Sequence, residues 1–244
     1  MTPFLEALAW VTRFDFGRDG FALRATPPRA EQIVLARSVM ALAIAVAAGL
    51  VSWFVGDRLL SAFCGAAAAW ALRIYLPGDR ESNGAMLALG RARDSQGREL
   101  SVHENYADAL RSVAIFIQPM CYFLLIYRGF WLWLLPAMCL ATVIALEIQW
   151  GENLKRGGSS LPAHWVAAAA IVLLICGFGG RLLPGRQGVF VLSLFALILA
   201  WLLPQALTSF WPKDAFRSER EAFSAYYYLG EVSMLLLGLL GIAL

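Results

Sequence analysis

Glu231 is the residue of this chain that most demands a physical explanation. It falls in Tyr228-Leu229-Gly230-Glu231-Val232-Ser233-Met234, nine residues into an apolar run from Ala222 to Leu244, and therefore about 13 Å along a helix. A charge at mid-bilayer costs about 2.5–3.5 kcal/mol on insertion scales. No Lys or Arg occurs within that run, so the carboxylate needs a cationic or hydroxyl partner on another helix, or must be held neutral. Arg37, near the start of the first apolar run, is the expected cation. Glu147 is the second carboxylate of interest, at the end of another apolar run in Leu146-Glu147-Ile148-Gln149-Trp150 and followed by Glu152. Together these groups predict a polar pocket formed by the first, third, fourth and seventh spans and open to the cytoplasm. An internal ion pair that only fixes helix packing would leave the same pattern.

A second set of ionisable groups lies in the longest non-apolar stretch, Pro77 to Leu110. It holds Asp79, Glu81, Asp94, Glu99, His103, Glu104 and Asp108, and loops of this length are usually functional, disordered or partly helical. Glu104, Asp108, Glu147 and Glu231, with His103, are thus the candidate catalytic groups of a membrane-embedded transferase. In a transporter, Glu231 would instead bind a proton or a cation.

Several other chemistries find no support. Cys64, Cys121, Cys139 and Cys176 lie in apolar runs without metal-type spacing, and read as small buried hydrophobes. Two histidines, His103 and His164, are too few for a haem- or diiron-type membrane oxidase, and His164 reads as an interfacial residue. No phosphate-binding G-x-x-x-x-G-K-[ST] loop and no N-glycosylation signal occur. Tyr226, Tyr227 and Tyr228 with Trp211 read as an interfacial aromatic belt. A net charge of +3 without a dense basic run gives no reason to expect a nucleic-acid partner.

The elements that would position these groups follow from composition. The chain has 60% hydrophobic and 15% charged residues, where a soluble domain carries about 45–50% and about 25%. Helical runs of roughly 20 apolar residues are needed to cross a bilayer, and seven are marked: Ile33–Val55, Leu59–Leu76, Val113–Tyr127, Phe130–Leu146, Leu161–Gly180, Val189–Leu207 and Ala222–Leu244. The third is short, so its helix should continue outward through Arg111 and Asp108. Of the 20 Lys and Arg, sixteen fall on one side of this arrangement and four (Arg58, Arg128, Arg181, Arg186) on the other. Because cytoplasmic loops retain basic residues, this predicts a cytoplasmic N-terminus and an external C-terminus in the inner membrane. No cleavable leader is expected, since the first 31 residues lack an apolar core followed by a cleavage site.

Residues 1–31 form an expected N-terminal segment. Thr2-Pro3 suits a helix start, and Phe4, Leu5, Leu8, Val11 and Phe14 recur at spacings of three or four, which predicts an amphipathic helix at the interface or packed on the cytoplasmic face of the bundle. Residues 32–244 then form the bundle, with a cytoplasmic loop at 77–110.

One stretch resembles a family. Arg80-Glu81-Ser82-Asn83-Gly84, followed by Gly97, Ser101 and Asn105, has the spacing of the CDP-alcohol phosphotransferase signature D-x-x-D-G-x-x-A-R-x8-G-x-x-x-D-x-x-x-D, and Tyr106-Ala107-Asp108-Ala109-Leu110 looks like the opening of that family's third span. The related cobalamin synthases are similar at the ends, in Phe4-Leu5-Glu6-Ala7-Leu8-Ala9-Trp10-Val11-Thr12-Arg13 and in a closing helix that bears an acid such as Glu231. The resemblance implies a helix bundle with Asn83, Gly84, Gly97, Ser101 and Asn105 at the ligand-binding positions. The departure is in the metal ligands, since Arg80, Asn83, Ser101 and Asn105 stand where the family has aspartates. Mg²⁺ requires oxygen ligands, usually carboxylates, so no metal and no cofactor are expected.

The sequence therefore predicts an all-α polytopic bundle of about seven spans with an N-terminal interfacial helix. The leading expectation is a non-catalytic membrane subunit, or a degenerate phosphotransferase relative, that binds a lipid or a partner protein at a cytoplasm-facing cavity. An active transferase acting on a lipid-linked or phosphate-bearing substrate, and a transporter or channel component, are the alternatives. Membrane lipids, other membrane subunits or a second copy of the chain are the expected partners.

Overall fold

A computed structural model describes residues 3–12, 29–76, 104–156, 163–182, 188–210 and 219–243. These form eight α-helices and no strand: α1 (Pro3–Val11), α2 (Ala30–Phe54), α3 (Arg58–Tyr75), α4 (Glu104–Tyr127), α5 (Leu134–Arg156), α6 (Ala163–Leu182), α7 (Gly188–Phe210) and α8 (Glu219–Ala243), with a single 3₁₀ turn at Trp131–Trp133. Each of the seven expected runs is helical over most of its described residues. The third does continue outward, with α4 beginning at Glu104.

Two tight connections make antiparallel pairs. Between α2 and α3, Asp57 caps α3 by accepting a hydrogen bond from the Leu60 amide at 2.8 Å. At Gly65 an added Cβ would meet the Ser52 hydroxyl and the Ala48 carbonyl, so this glycine permits the close approach of the two helices. Between α4 and α5, Gly129 takes φ 70°. Its amide donates to the Ile126 carbonyl at 2.8 Å and that of Phe130 to Leu125 at 2.7 Å, the paired closure that ends a helix at a left-handed glycine.

Helix α5 is the axis of the bundle. It packs against α2, α6, α7 and α8, and every residue from Trp133 to Leu146 is buried, as expected of a helix that is apolar all round. Its tightest neighbour is α8. A Cβ at Gly230 would lie 3.2 Å from the Ala141 Cα, and one at Gly238 would run into the Trp133 indole. That indole donates from Nε1 to the Met234 carbonyl at 2.8 Å. Small residues let helix backbones approach in this way where no hydrophobic driving force separates protein from lipid.

The outer surface is apolar. Leu35, Val39, Leu42, Val46, Leu50 and Trp53 form one exposed stripe along α2, and Val191, Leu194, Phe195, Ile198, Trp201 and Leu202 form another along α7. Contiguous exposure on this scale is foreign to a soluble monomer. Among the described residues, four helices are long and apolar enough to cross a membrane: Ala30–Phe54, Trp131–Gln149, Val191–Ser209 and Ala222–Ile242. The described apolar parts of α4 and α6, Phe116–Tyr127 and Ala163–Ile175, are shorter. The N-terminal helix α1 packs on α2 and buries Ala7 and Val11.

The tyrosine run corrects one expectation. Tyr226 and Tyr227 are fully buried and Tyr228 is half-buried, so these rings belong to the bundle core rather than to an interfacial belt. The opposite end of the bundle carries exposed aromatics instead, Trp53 and Phe54 at the end of α2, together with the half-buried Tyr127, over whose ring the Arg58 guanidinium sits at 4.7 Å.

Candidate functional site

Glu231 stands at the midpoint of α8, twelve residues from either end and about 18 Å from each. It is fully buried. Its Oε2 accepts from the Arg73 Nε at 3.0 Å and lies 3.0 Å from the Arg73 Nη2. Its Oε1 accepts from the Tyr122 hydroxyl. Tyr122 in turn accepts from the Gln118 Nε2 at 3.1 Å. Because Gln118 donates to the phenolic oxygen, the single phenolic hydrogen is directed at the carboxylate. The chain Gln118, Tyr122, Glu231, Arg73 thus has a fixed direction and joins α4, α8 and α3.

Arg37 belongs to the same cluster from α2. Its guanidinium carbon is 4.7 Å from the centre of the Tyr227 ring and 6.0 Å from that of Phe223. The Arg73 guanidinium carbon is also 4.7 Å from the Tyr227 ring centre. Tyr227 is therefore flanked by two guanidiniums, each within the range of a cation–π contact. The Tyr227 hydroxyl is buried and has no hydrogen-bond partner.

The carboxylate's expected need for a partner on another helix is met, with a change of identity. Arg73 makes the ion pair and Tyr122 the hydroxyl contact, while Arg37 packs beside them. Arg73 sits at the third-last position of α3 and is 5% exposed, so it is a core residue rather than a flanking loop charge. The site consequently includes α3 as well as α2, α4 and α8, the helices of the second, first, third and seventh expected runs.

Glu147 does not join this cluster through the contacts that define it. On α5, its Oε2 accepts from the Trp165 Nε1 at 3.2 Å and lies 3.4 Å from the His164 Nε2. His164 and Trp165 occupy the first turn of α6. His164 is 1% exposed, so the residue read as interfacial is enclosed between helices. The Gln149 Oε1 has no hydrogen-bond partner.

The remaining candidates fall elsewhere. Glu104, Asn105 and Asp108 lie in the first turns of α4, where side-chain positions are not described. His103, Asn83, Gly84, Gly97 and Ser101 lie outside the described residues. Among the described residues no group of three or more His, Cys, Asp or Glu is placed to hold a metal ion. Around Glu231 the donor set does not suit a divalent cation either, because the guanidinium of Arg73 already occupies one carboxylate oxygen and would repel it. Cys121 and Cys139 are buried and Cys64 is half-buried, all with free thiols.

Arg73, Gln118 and Tyr122 are not singled out by the sequence, and Tyr227 is read there only as part of an aromatic belt. Two signals are present: an arginine placed before the last three residues of an otherwise apolar run, and a Gln-x-x-x-Tyr pair at the i, i+4 spacing that puts both side chains on one helix face.

Comparison of the chain with family models, with curated proteins and with solved structures finds no match.

Proposed function

We propose that the chain is a polytopic inner-membrane binding protein, a non-catalytic membrane subunit that holds a lipid at the cluster of Arg37, Arg73, Tyr122, Tyr227 and Glu231. In this reading all seven long helices, α2 to α8, cross the bilayer. The N-terminus is cytoplasmic, the C-terminus is external, and α1 rests at the cytoplasmic interface against α2. Arg37 and Arg73 are core residues and no longer count toward the orientation. Removing those two from the sixteen leaves fourteen basic residues against four, which still supports that orientation.

The observation that carries the proposal is the composition of the cluster. Four helices contribute it, and each oxygen of its carboxylate already accepts a hydrogen bond, one from a guanidinium and one from a phenol. A general acid or base must reach a substrate proton, and a cation site must present open oxygen ligands. Glu231 does neither while it is held by Arg73 and Tyr122. What the cluster offers is a set of donors and aromatic faces inside an apolar shell, which favours binding over catalysis and over cation transport. The absence of family aspartates at Arg80, Asn83, Ser101 and Asn105 supports the same choice against a phosphotransferase of the resembling kind.

The test is native mass spectrometry of the full chain released from nanodiscs. The expected result is a lipid retained on the wild type and lost on Arg73→Met with Glu231→Leu, which removes a guanidinium from the cluster without leaving the buried carboxylate unpaired. Release of a bare chain with no lipid overturns the reading.

A further inference from the structure

The Tyr227 hydroxyl is a fully buried polar group without a partner, and buried polar groups left unpaired are rare enough to require a cause. Its surroundings narrow what the cause can be. The two cationic side chains against its ring, Arg37 and Arg73, have N–H donors and no acceptor. They cannot take the phenolic hydrogen. Each Glu231 oxygen already accepts a hydrogen bond, Oε1 from Tyr122 and Oε2 from Arg73, and neither accepts one from Tyr227. The group that completes the site must therefore bring an acceptor oxygen into a place bordered by guanidiniums, and a negatively charged oxygen meets both demands with short, charge-assisted bonds.

The depth of the residues fits such a ligand. Arg37 is the eighth residue of α2, Tyr227 the ninth of α8 and Arg73 the third from the end of α3. Helices α2 and α3 form an antiparallel pair, and α8 runs parallel to α2 because both pack antiparallel to α5: Gly49 meets Trp131 at the start of α5, and Gly230 and Gly238 meet Ala141 and Trp133 in reverse order. All three side chains therefore sit near the same end of the bundle, about 10–12 Å in from the helix starts for Arg37 and Tyr227. Glu231 lies about a turn deeper. In helices of about 37 Å centred on a hydrocarbon core of about 30 Å, the position of Arg37 and Tyr227 is about 7–8 Å below the nearer headgroup layer, a depth that an anionic group reaches only by being drawn inward by the buried guanidiniums.

We propose that Tyr227, with Arg37 and Arg73, forms a binding site for an oxyanion, a phosphate-type group that the phenol and the guanidiniums hold together. This rests on the lipid-binding reading above and names the chemistry of the ligand. The oxyanion is supplied either by a lipid headgroup or by a free anion.

The experiment uses the full chain in nanodiscs of digalactosyldiacylglycerol, a lipid without phosphate, either alone, with phosphatidic acid mixed in, or with inorganic phosphate added. Thermal unfolding and native mass spectrometry are read on the wild type and on Tyr227→Phe, which removes the hydroxyl and keeps the ring between the arginines. The expected result is a saturable rise in melting temperature, with the apparent affinity in Tyr227→Phe weakened by about tenfold to a hundredfold, the loss of one hydrogen bond to a charged group. Stabilisation by phosphatidic acid alone identifies a lipid-borne group, and stabilisation by inorganic phosphate as well identifies a free oxyanion; both support the site. Equal binding by wild type and Tyr227→Phe overturns it, and so does a variant destabilised to the same extent with or without ligand, because the hydroxyl would then serve packing. A lipid retained equally by both proteins defeats this site and leaves the lipid-binding reading intact, whereas a wild type that retains no lipid defeats that reading.

Discussion

Glu231 and Glu147 are the same side chain in similar sequence settings, each flanked by apolar residues on a long helix, yet their surroundings differ in kind. Glu231 is fully enclosed and meets a guanidinium and a phenol from two other helices. Glu147 is 18% exposed at its side chain and meets the indole and imidazole of the adjoining helix α6. The first arrangement ties together segments 158 and 109 residues apart. The second joins residues only 18 positions apart across one helix connection. Burial sets the energetic scale: removing one partner from a buried ion pair strands a charge in low dielectric, whereas a partly exposed carboxylate can fall back on water.

The largest expected effect follows from stranding Glu231. Arg73→Ala should lower stability by about 3–5 kcal/mol, read by thermal or denaturant unfolding of the full chain in detergent. The companion variant Arg73→Met with Glu231→Leu replaces both charges by apolar groups and should recover most of that loss, because an ion pair and a hydrophobic pair of similar volume are often close in stability. If the double variant is as unstable as the single one, the loss in Arg73→Ala does not come from a stranded Glu231 charge. Tyr122→Phe comes next, with an expected loss of about 1.5–3 kcal/mol for one hydrogen bond to a charged acceptor.

The helices were more legible in the sequence than the site was. Runs such as Val189–Leu207 and Ala222–Leu244 announce themselves by length and apolarity, and the described helices Gly188–Phe210 and Glu219–Ala243 follow them within a few residues. Local signals also placed the start of α1 at Pro3 and the outward extension of α4. The identity of Glu231's partner was not legible, because it depends on which helices are neighbours and how they are rotated. Arg37 and Arg73 both sit near the ends of apolar runs, and nothing local says which guanidinium reaches the carboxylate. The tyrosine run failed for a related reason. Consecutive residues point about 100° apart around a helix, so three tyrosines sweep more than half its circumference, and whether that arc faces lipid or protein depends on the packing of α8 against its neighbours.

A contact that owes nothing to charge gives a control for the comparison. Gly238 on α8 leaves room for the Trp133 indole, which bonds to the Met234 carbonyl a turn away. Gly238→Ala puts a methyl group into that indole and should cost about 1–3 kcal/mol by overpacking, measured in the same unfolding assay. The loss should persist in the background of Arg73→Met with Glu231→Leu. Additivity there would show that the α5–α8 seam and the polar cluster are separate sources of stability.

The smallest effect is expected at Glu147. Glu147→Gln keeps an acceptor for the Trp165 indole and removes the charge facing His164, and with part of the side chain reaching solvent the change should stay within about 1 kcal/mol. Trp165→Phe removes the donor instead of the acceptor and should be no larger in its polar part, although it also removes ring area. The informative quantity is the ratio of the two carboxylate responses. If Glu147→Gln destabilises the chain as much as Arg73→Ala does, burial is not what separates the two acids, and the Glu147, His164 and Trp165 contact would have to carry a structural weight comparable to that of the cluster around Glu231.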